Sequence, residues 1–242
     1  MIPRSSCHRL PKGCKQNMLY SIGSYDIMLK TLPADVSGAR IGLMGGTFDP
    51  VHTGHLLLAQ AALEECALDA VLFIPTGCSY LKMDRGISDR VDRLAMTEFA
   101  IESEPRFFIS PIEVERPGNS YTADTLKELH AAYPDCRFSL ILGADSVMML
   151  DKWVRPEEIC AQADLICACR DGHETDELSV QTGLLKERFS ARIGLLKTGR
   201  FDISSSEIRE RVRTGKSIRY LVPEPVMDYI YRKKLYRKNT GA

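Results

Sequence analysis

From Arg40 onward the chain alternates short apolar runs with longer stretches whose apolar residues recur every three to four positions. Ile41-Gly-Leu-Met44, within "RIGLMGG", reads as a buried strand, and residues 54–66 read as a helix carrying "LLLAQAAL". The pair then repeats. "AVLFIPTG" predicts a strand and "SDRVDRLAMTEFAIE" a helix with Leu94, Phe99 and Ile101 on its apolar side. "RFFIS" predicts a strand, "TADTLKELHAAY" a helix, and "FSLILGAD" a strand apolar at nearly every position, as in a parallel sheet buried on both faces. "PEEICAQ", the strand "DLICACR", a helix near "ELSVQTGLLKERF" and the strand "RIGLLKT" follow, and "ISSSEIRERVRTG" and "PEPVMDYIYRKKLY" predict two closing helices. Right-handed crossovers make this an α/β fold with an open, doubly wound, mostly parallel sheet, whose ligands bind beyond the carboxyl ends of the strands.

Residues 1–38 lack this periodicity and break at "LPADVSGAR"; they are set apart as an N-terminal extension, and 39–242 as a single domain. Met18 and Met28 could equally begin a chain. Arg4, Arg9, Lys12 and Lys15 have no uninterrupted apolar stretch behind them, so no signal peptide is expected. No apolar run approaches the ~18–20 residues of a membrane span.

Composition narrows the partners. Of 242 residues, 32 are Lys or Arg and 32 are Asp or Glu, so no overall basic field recommends nucleic acid. Cysteines 7, 14, 66, 78, 136, 160, 167 and 169 include no CxxC pair, and several sit in apolar segments. That pattern predicts reduced core thiols and a cytoplasmic protein.

The chemistry starts at "GGTFDPVHTGH", residues 45–55, where a strand hands over to a helix. Glycines at a strand end let the backbone approach a ligand, and a helix start offers N–H groups and a positive dipole end to an anion, for which phosphate is the natural guest. The spacing is neither GxGxxG nor a Walker loop. His52 and His55 could be a metal pair, a phosphate-binding pair or polar residues at a helix start. A zinc site is not expected, since no Glu follows His52 and no Cys or third His lies nearby in sequence. Imidazoles here suit a triphosphate, donating hydrogen bonds to its oxygens and, when protonated, offsetting transition-state charge. A second helix start is written in "DISSSEIRERVR": Ser204 and Glu207 have capping-box spacing, with Ser205 and Ser206 at the tip and Arg209 a turn or two on. The alternative is an ordinary capped surface helix. Asp49 reads as a turn-forming residue rather than a base, and Asp145 as a group that could simply cap its strand end.

"GGTFDPVHTGH" together with "ISSSEIR" resembles the nucleotidyltransferase α/β superfamily with its HxGH signature, which has a Rossmann-like fold. "FIPTG", "DRLAMTEFAI", "SYTADTL", "GADSVMMLDKW" and "RYLVPEPVMDYI", in that order over about residues 40–235, are similar to the bacterial nicotinate-nucleotide adenylyltransferase family. The resemblance implies transfer of AMP from ATP to nicotinate mononucleotide, with Mg²⁺ arriving on the ATP phosphates and no resident metal. It implies that His52 and His55 are catalytic and contact the ATP phosphates, in a site that includes Gly45, Gly46, Thr47 and Phe48. Ser205, Ser206 and Arg209 would grip the β and γ phosphates, and Gly143 and Asp145 would border the adenosine. Trp153, the only tryptophan, would stack on the pyridine ring, with Tyr121 and Thr122 nearby; without the resemblance, a core or rim tryptophan is the simpler reading. The family commonly has Pro-Pro-His-Lys where this chain has Ser79-Tyr80-Leu81-Lys82, which leaves Lys82 to hold the mononucleotide phosphate, helped by Arg93 if its helix faces the site. A phosphopantetheine adenylyltransferase and a catalytically silent nucleotide sensor on the same fold are the alternatives. Homo-oligomerisation stays open.

Overall fold

The computed structural model describes residues 16–22, 25–77, 87–170, 175–199 and 202–237. Strands β1 (Gln16–Ile22) and β2 (Tyr25–Thr31) form an antiparallel hairpin. After it come β3 (Arg40–Gly46), α1 (Thr53–Glu65), β4 (Ala70–Pro75), α2 (Arg90–Ile101), β5 (Phe107–Ile109), α3 (Ile112–Glu115) and α4 (Thr122–Ala132). The second half runs β6 (Arg137–Gly143), α5 (Ala144–Met148), a 3₁₀ turn at Leu150–Lys152, α6 (Pro156–Gln162), β7 (Asp164–Arg170), α7 (Asp176–Phe189), β8 (Ile193–Thr198), α8 (Ser205–Arg213) and α9 (Glu224–Arg232). β3 to β8 form one parallel sheet in the order β5-β4-β3-β6-β7-β8. The chain winds outward from β3 to β5, then returns to β6 on the other side of β3 and winds outward again. β3 and β6 therefore flank the crevice where the winding reverses.

Alternation along the strands fills both faces. Met44, Val71, Phe73, Ile141 and Ile166 pack under α1, α2, α8 and α9, while Ile41, Leu43, Leu72, Ile74, Leu140 and Leu165 pack under α4, α6 and α7. Gly42 lies where a Cβ would come within 2.7 Å of Leu68 Cδ1 and 2.8 Å of Ile141 Cδ1, so a larger residue there would push the ends of these two core side chains aside.

Three sequence expectations change. "FSLILGAD" is not strand throughout: β6 ends at Gly143, which caps α5, and Asp145 sits in the first turn of that helix, where its charge complements the dipole. The closing helix stops at Arg232 rather than running to residue 236, because Lys234 and Tyr236 take left-handed backbone with φ of 56° and 62°. And 16–22 and 25–31, where no periodicity was legible, form the two strands of the hairpin. Leu29, Leu32 and Val36 are buried, β2 packs on β5, and the ammonium of Lys30, 5% exposed, donates to the carbonyls of Ile101 at 3.0 Å and Glu104 at 2.7 Å. Lys30 thus caps the carboxyl end of α2 with a charge of the favourable sign.

Candidate active site

A cleft of about 1080 Å³ opens beyond the carboxyl ends of β3 and β6. Gly45, Gly46, Thr47, Phe48, His52, His55, Gly143, Asp145, Ser205, Ser206 and Arg209, all expected at the site, line it. Added Cβ atoms on Gly45 and Gly143 would meet nothing within 4 Å, so neither glycine is demanded by packing.

Phe48 turns the chain with φ of 50°, is 2% exposed, and sets its ring edge-on to His55 with centroids 5.1 Å apart. The His55 ring in turn stacks on His52 at 3.6 Å. His52 is the N-cap of α1, and its backbone N–H donates to His55 Nδ1 at 3.2 Å. An imidazole nitrogen that accepts carries no proton, so neutral His55 is the Nε2–H tautomer. His52 is 6% exposed, and burial pushes its pKa down from 6.5 to about 4. Of the two contributions expected of an imidazole here, hydrogen-bond donation and, when protonated, charge, the free protein's His52 offers the first: at neutral pH its ring is uncharged, because a buried cation lacks the solvation it has in water. Its Nδ1 is buried with no hydrogen-bond partner among the described residues.

The second helix start closes the same wall. Ser204 caps α8 by accepting from the Glu207 N–H at 3.1 Å. Ser205 Oγ donates to the carbonyl of Pro50 at 2.9 Å, and Arg209 Nη1 donates to that of Asp49 at 2.7 Å. Arg209 Nη2 also reaches Ser206 Oγ at 3.2 Å. These bonds bring the N-termini of α1 and α8, about 150 residues apart in the chain, to one loop, so two positive dipole ends line one cleft. Asp49, 2% exposed, accepts from the Ser88 N–H and the Tyr236 hydroxyl, which fits a structural residue better than a base.

A model of the family described as cytidylyltransferase-like matches residues 43–211. A protein of Lachnoclostridium phytofermentans named "Probable nicotinate-nucleotide adenylyltransferase" is 41% identical over 197 residues, covering 81% of this chain and 98% of its own length. One of the same name from Acidothermus cellulolyticus is 41% identical over 211 residues, covering 84% and 97%. The chain belongs to the nicotinate-nucleotide adenylyltransferases of the cytidylyltransferase-like family. Plasmodium falciparum nicotinic acid mononucleotide adenylyltransferase complexed with NaAD shares the fold, with a TM-score of 0.66 at 21% identity over 82% of this chain and 97% of that one.

In this adenylyltransferase the far side of the cleft is built by the start of α4 and the turn after α5. Thr122 and the half-buried Trp153 line it. Tyr121 does not: it is the N-cap of α4, and its carbonyl accepts from the N–H groups of Asp124 and Thr125, both at 3.1 Å. Lys82 lies outside the described residues. Arg93 does not reach the cleft either. It is 2% exposed, and its guanidinium donates to the carbonyls of Thr47 at 2.7 Å, Gly77 at 2.9 Å and Ser88 at 3.2 Å, binding the glycine loop to the exit of β4.

Sequence reasoning missed a polar group on this side. Glu113, 8% exposed, accepts from Thr125 Oγ1 at 2.8 Å, and burial raises its carboxyl pKa. Ser120 is 7% exposed beside it. All three line the cleft. "SYTADTL" contains Ser120 and Thr125, but the resemblance singles out only Tyr121 and Thr122 in it, and nothing local marks Glu113, which lies seven and twelve residues before the other two.

Proposed function

We propose that this protein transfers the adenylyl group of ATP to nicotinate mononucleotide, releasing pyrophosphate and nicotinate adenine dinucleotide. The observation that carries the reading is the convergence of the α1 and α8 starts on one wall, through the bonds of Ser205 and Arg209 to the 49–50 backbone. That wall suits a triphosphate, and the names of relatives 41% identical over most of their length supply the acceptor.

A phosphate oxygen of the mononucleotide attacks the α-phosphorus in line, and the bond from that phosphorus to the bridging oxygen of the β-phosphate breaks. The nucleophile is already an anion, so no protein base is needed, and catalysis consists of positioning and charge stabilisation. His52 and His55 donate to non-bridging oxygens where charge gathers; in His55 the donor is Nε2–H. Ser205, Ser206 and Arg209 hold the leaving pyrophosphate, and the backbone of Gly45 to Phe48 lets the phosphates lie close. Gly143 and Asp145 border the adenosine. Trp153 stacks on the pyridine with Thr122 and Tyr121 in its neighbourhood, and Lys82 takes the acceptor phosphate.

Among the described residues no group of three His, Cys, Asp or Glu side chains could hold a metal ion. The phosphates of ATP are the donors that fit Mg²⁺, which supplies neutralisation of their charge. No helix among the described residues is long and apolar enough to cross a membrane. We place the enzyme in the cytoplasm on the free, buried thiols of Cys136, Cys160, Cys167 and Cys169, which suit a reducing compartment.

The test is pyrophosphate release with ATP and Mg²⁺ over three acceptors: nicotinate mononucleotide, nicotinamide mononucleotide and phosphopantetheine. Turnover is expected with the first. Turnover only with phosphopantetheine, or ATP binding without any pyrophosphate, overturns the reading.

A further inference from the structure

Beyond α9 the chain turns back into the molecule. The left-handed residues Lys234 and Tyr236 end the helix, and the Tyr236 ring packs against the core. Its hydroxyl donates to Asp49 Oδ1 at 2.7 Å, across 187 residues of sequence, with Met96 Sδ at 3.9 Å. Burial and the adjacent Asp49 carboxylate hold the phenol far above its ordinary pKa, so it remains a donor throughout the working range. The other carboxylate oxygen of Asp49 accepts from the Ser88 N–H at 3.2 Å. Arg209 Nη1 stands 3.9 Å from that oxygen and bonds instead to the main-chain carbonyl of the same residue at 2.7 Å.

We infer that Tyr236 is a positioning residue for the ATP end of the site, acting through Asp49 to fix where the Arg209 guanidinium lies. A carboxylate with 2% exposure needs donors at both oxygens, since solvent cannot supply them. Tyr236 and Ser88 fill that need, so Arg209 Nη1 bonds the main-chain carbonyl, stays 3.9 Å from the carboxylate rather than hydrogen-bonded to it, and leaves Nη2 on Ser206 at the cleft. Without the hydroxyl, Arg209 is the cation that, among the described residues, already stands within ion-pair distance of the under-bonded carboxylate. Coulomb attraction in a poorly solvated place draws the guanidinium onto Asp49, and what Asp49 gains the ligand phosphates lose. The C-terminal segment thereby belongs to the ATP site although it does not line the cleft.

The inference rests on the reading of Arg209 as a phosphate-gripping residue, and a double-mutant cycle separates the two. Tyr236→Phe, Arg209→Ala and the double variant are compared with wild type by steady-state kinetics, ATP and nicotinate mononucleotide being varied in turn. Tyr236→Phe is expected to raise KM for ATP about tenfold, on the scale of one hydrogen bond to a charged group, while KM for the mononucleotide moves less than about twofold. In the Arg209→Ala background the same change is expected to leave KM for ATP within about twofold, because the group it acts through is gone. Additive effects around the cycle, or an unchanged KM for ATP in a folded Tyr236→Phe enzyme, overturn the inference. If wild type releases no pyrophosphate, the proposed function fails. The same cycle is then read from the ATP-induced rise in melting temperature, which also serves a Tyr236→Phe chain that melts too low for kinetics.

Discussion

His52 ties stability, pH and catalysis to one ring, and replacing it with asparagine separates them. In the folded chain its pKa is about 4, against 6.5 when exposed. As pH falls through 6.5 the unfolded chain takes up a proton that the folded chain refuses until about pH 4, so stability is present above 6.5 and is lost in that window. The full gap converts to ~3 kcal/mol. Between pH 7 and pH 5 the expected loss is about 2 kcal/mol, since at pH 5 the unfolded imidazole is almost fully charged and the folded one is still mostly neutral. Glu98 and Glu113, both pushed upward by burial, act in the opposite sense, gaining stability as pH falls, but they are common to wild type and variant. The difference between two urea-denaturation series, read at pH 7 and pH 5, therefore isolates His52. His52→Asn should reduce the pH-induced loss by about 2 kcal/mol and lower kcat by ~10²-fold, as removal of one transition-state donor does. Parallel stability curves for the two proteins would refute the burial argument, and near-normal kcat would refute the catalytic one.

Lys30→Met removes the ammonium that caps α2, leaving the carbonyls of Ile101 and Glu104 only the N–H groups of Glu104 and Phe107; an expected cost of ~2 kcal/mol, seen as a lower melting temperature with kcat retained, would be contradicted by an unchanged melting curve. Gly45→Ala should fold like wild type, because its Cβ meets open space, yet weaken ATP use by an order of magnitude, because that space is where we place the phosphates; an unchanged KM for ATP sinks the placement. Gly77→Ala is the opposite case, since its Cβ would stand 1.9 Å from the Glu113 carbonyl oxygen and the Arg93 bond to Gly77 would have to shift. Calorimetry should show ~2–4 kcal/mol of destabilisation, and a normal melting temperature would mean that the two loops part easily.

The sequence by itself determined what is local and periodic. The β/α alternation, the start of α8 at Ser204 and the histidine pair at the mouth of α1 follow from apolar spacing, side-chain capping and glycine placement within about ten residues. Those signals also marked most of the candidate residues that line the cleft, because in a doubly wound sheet strand ends and helix starts fall together at one edge. Tertiary structure alone decided the rest. Asp49 meets Tyr236 across 187 residues, and Lys30 meets the end of α2 across 71 to 74. Arg93, legible as a cation near the site, proves to be a clamp because three carbonyls from separate segments converge on it. His52 is neutral because other parts of the chain bury it. The hairpin strands at 16–22 and 25–31 escaped notice for the same reason: what holds β2 in place is burial against β5 and the end of α2, and contacts between distant segments leave no period in either one.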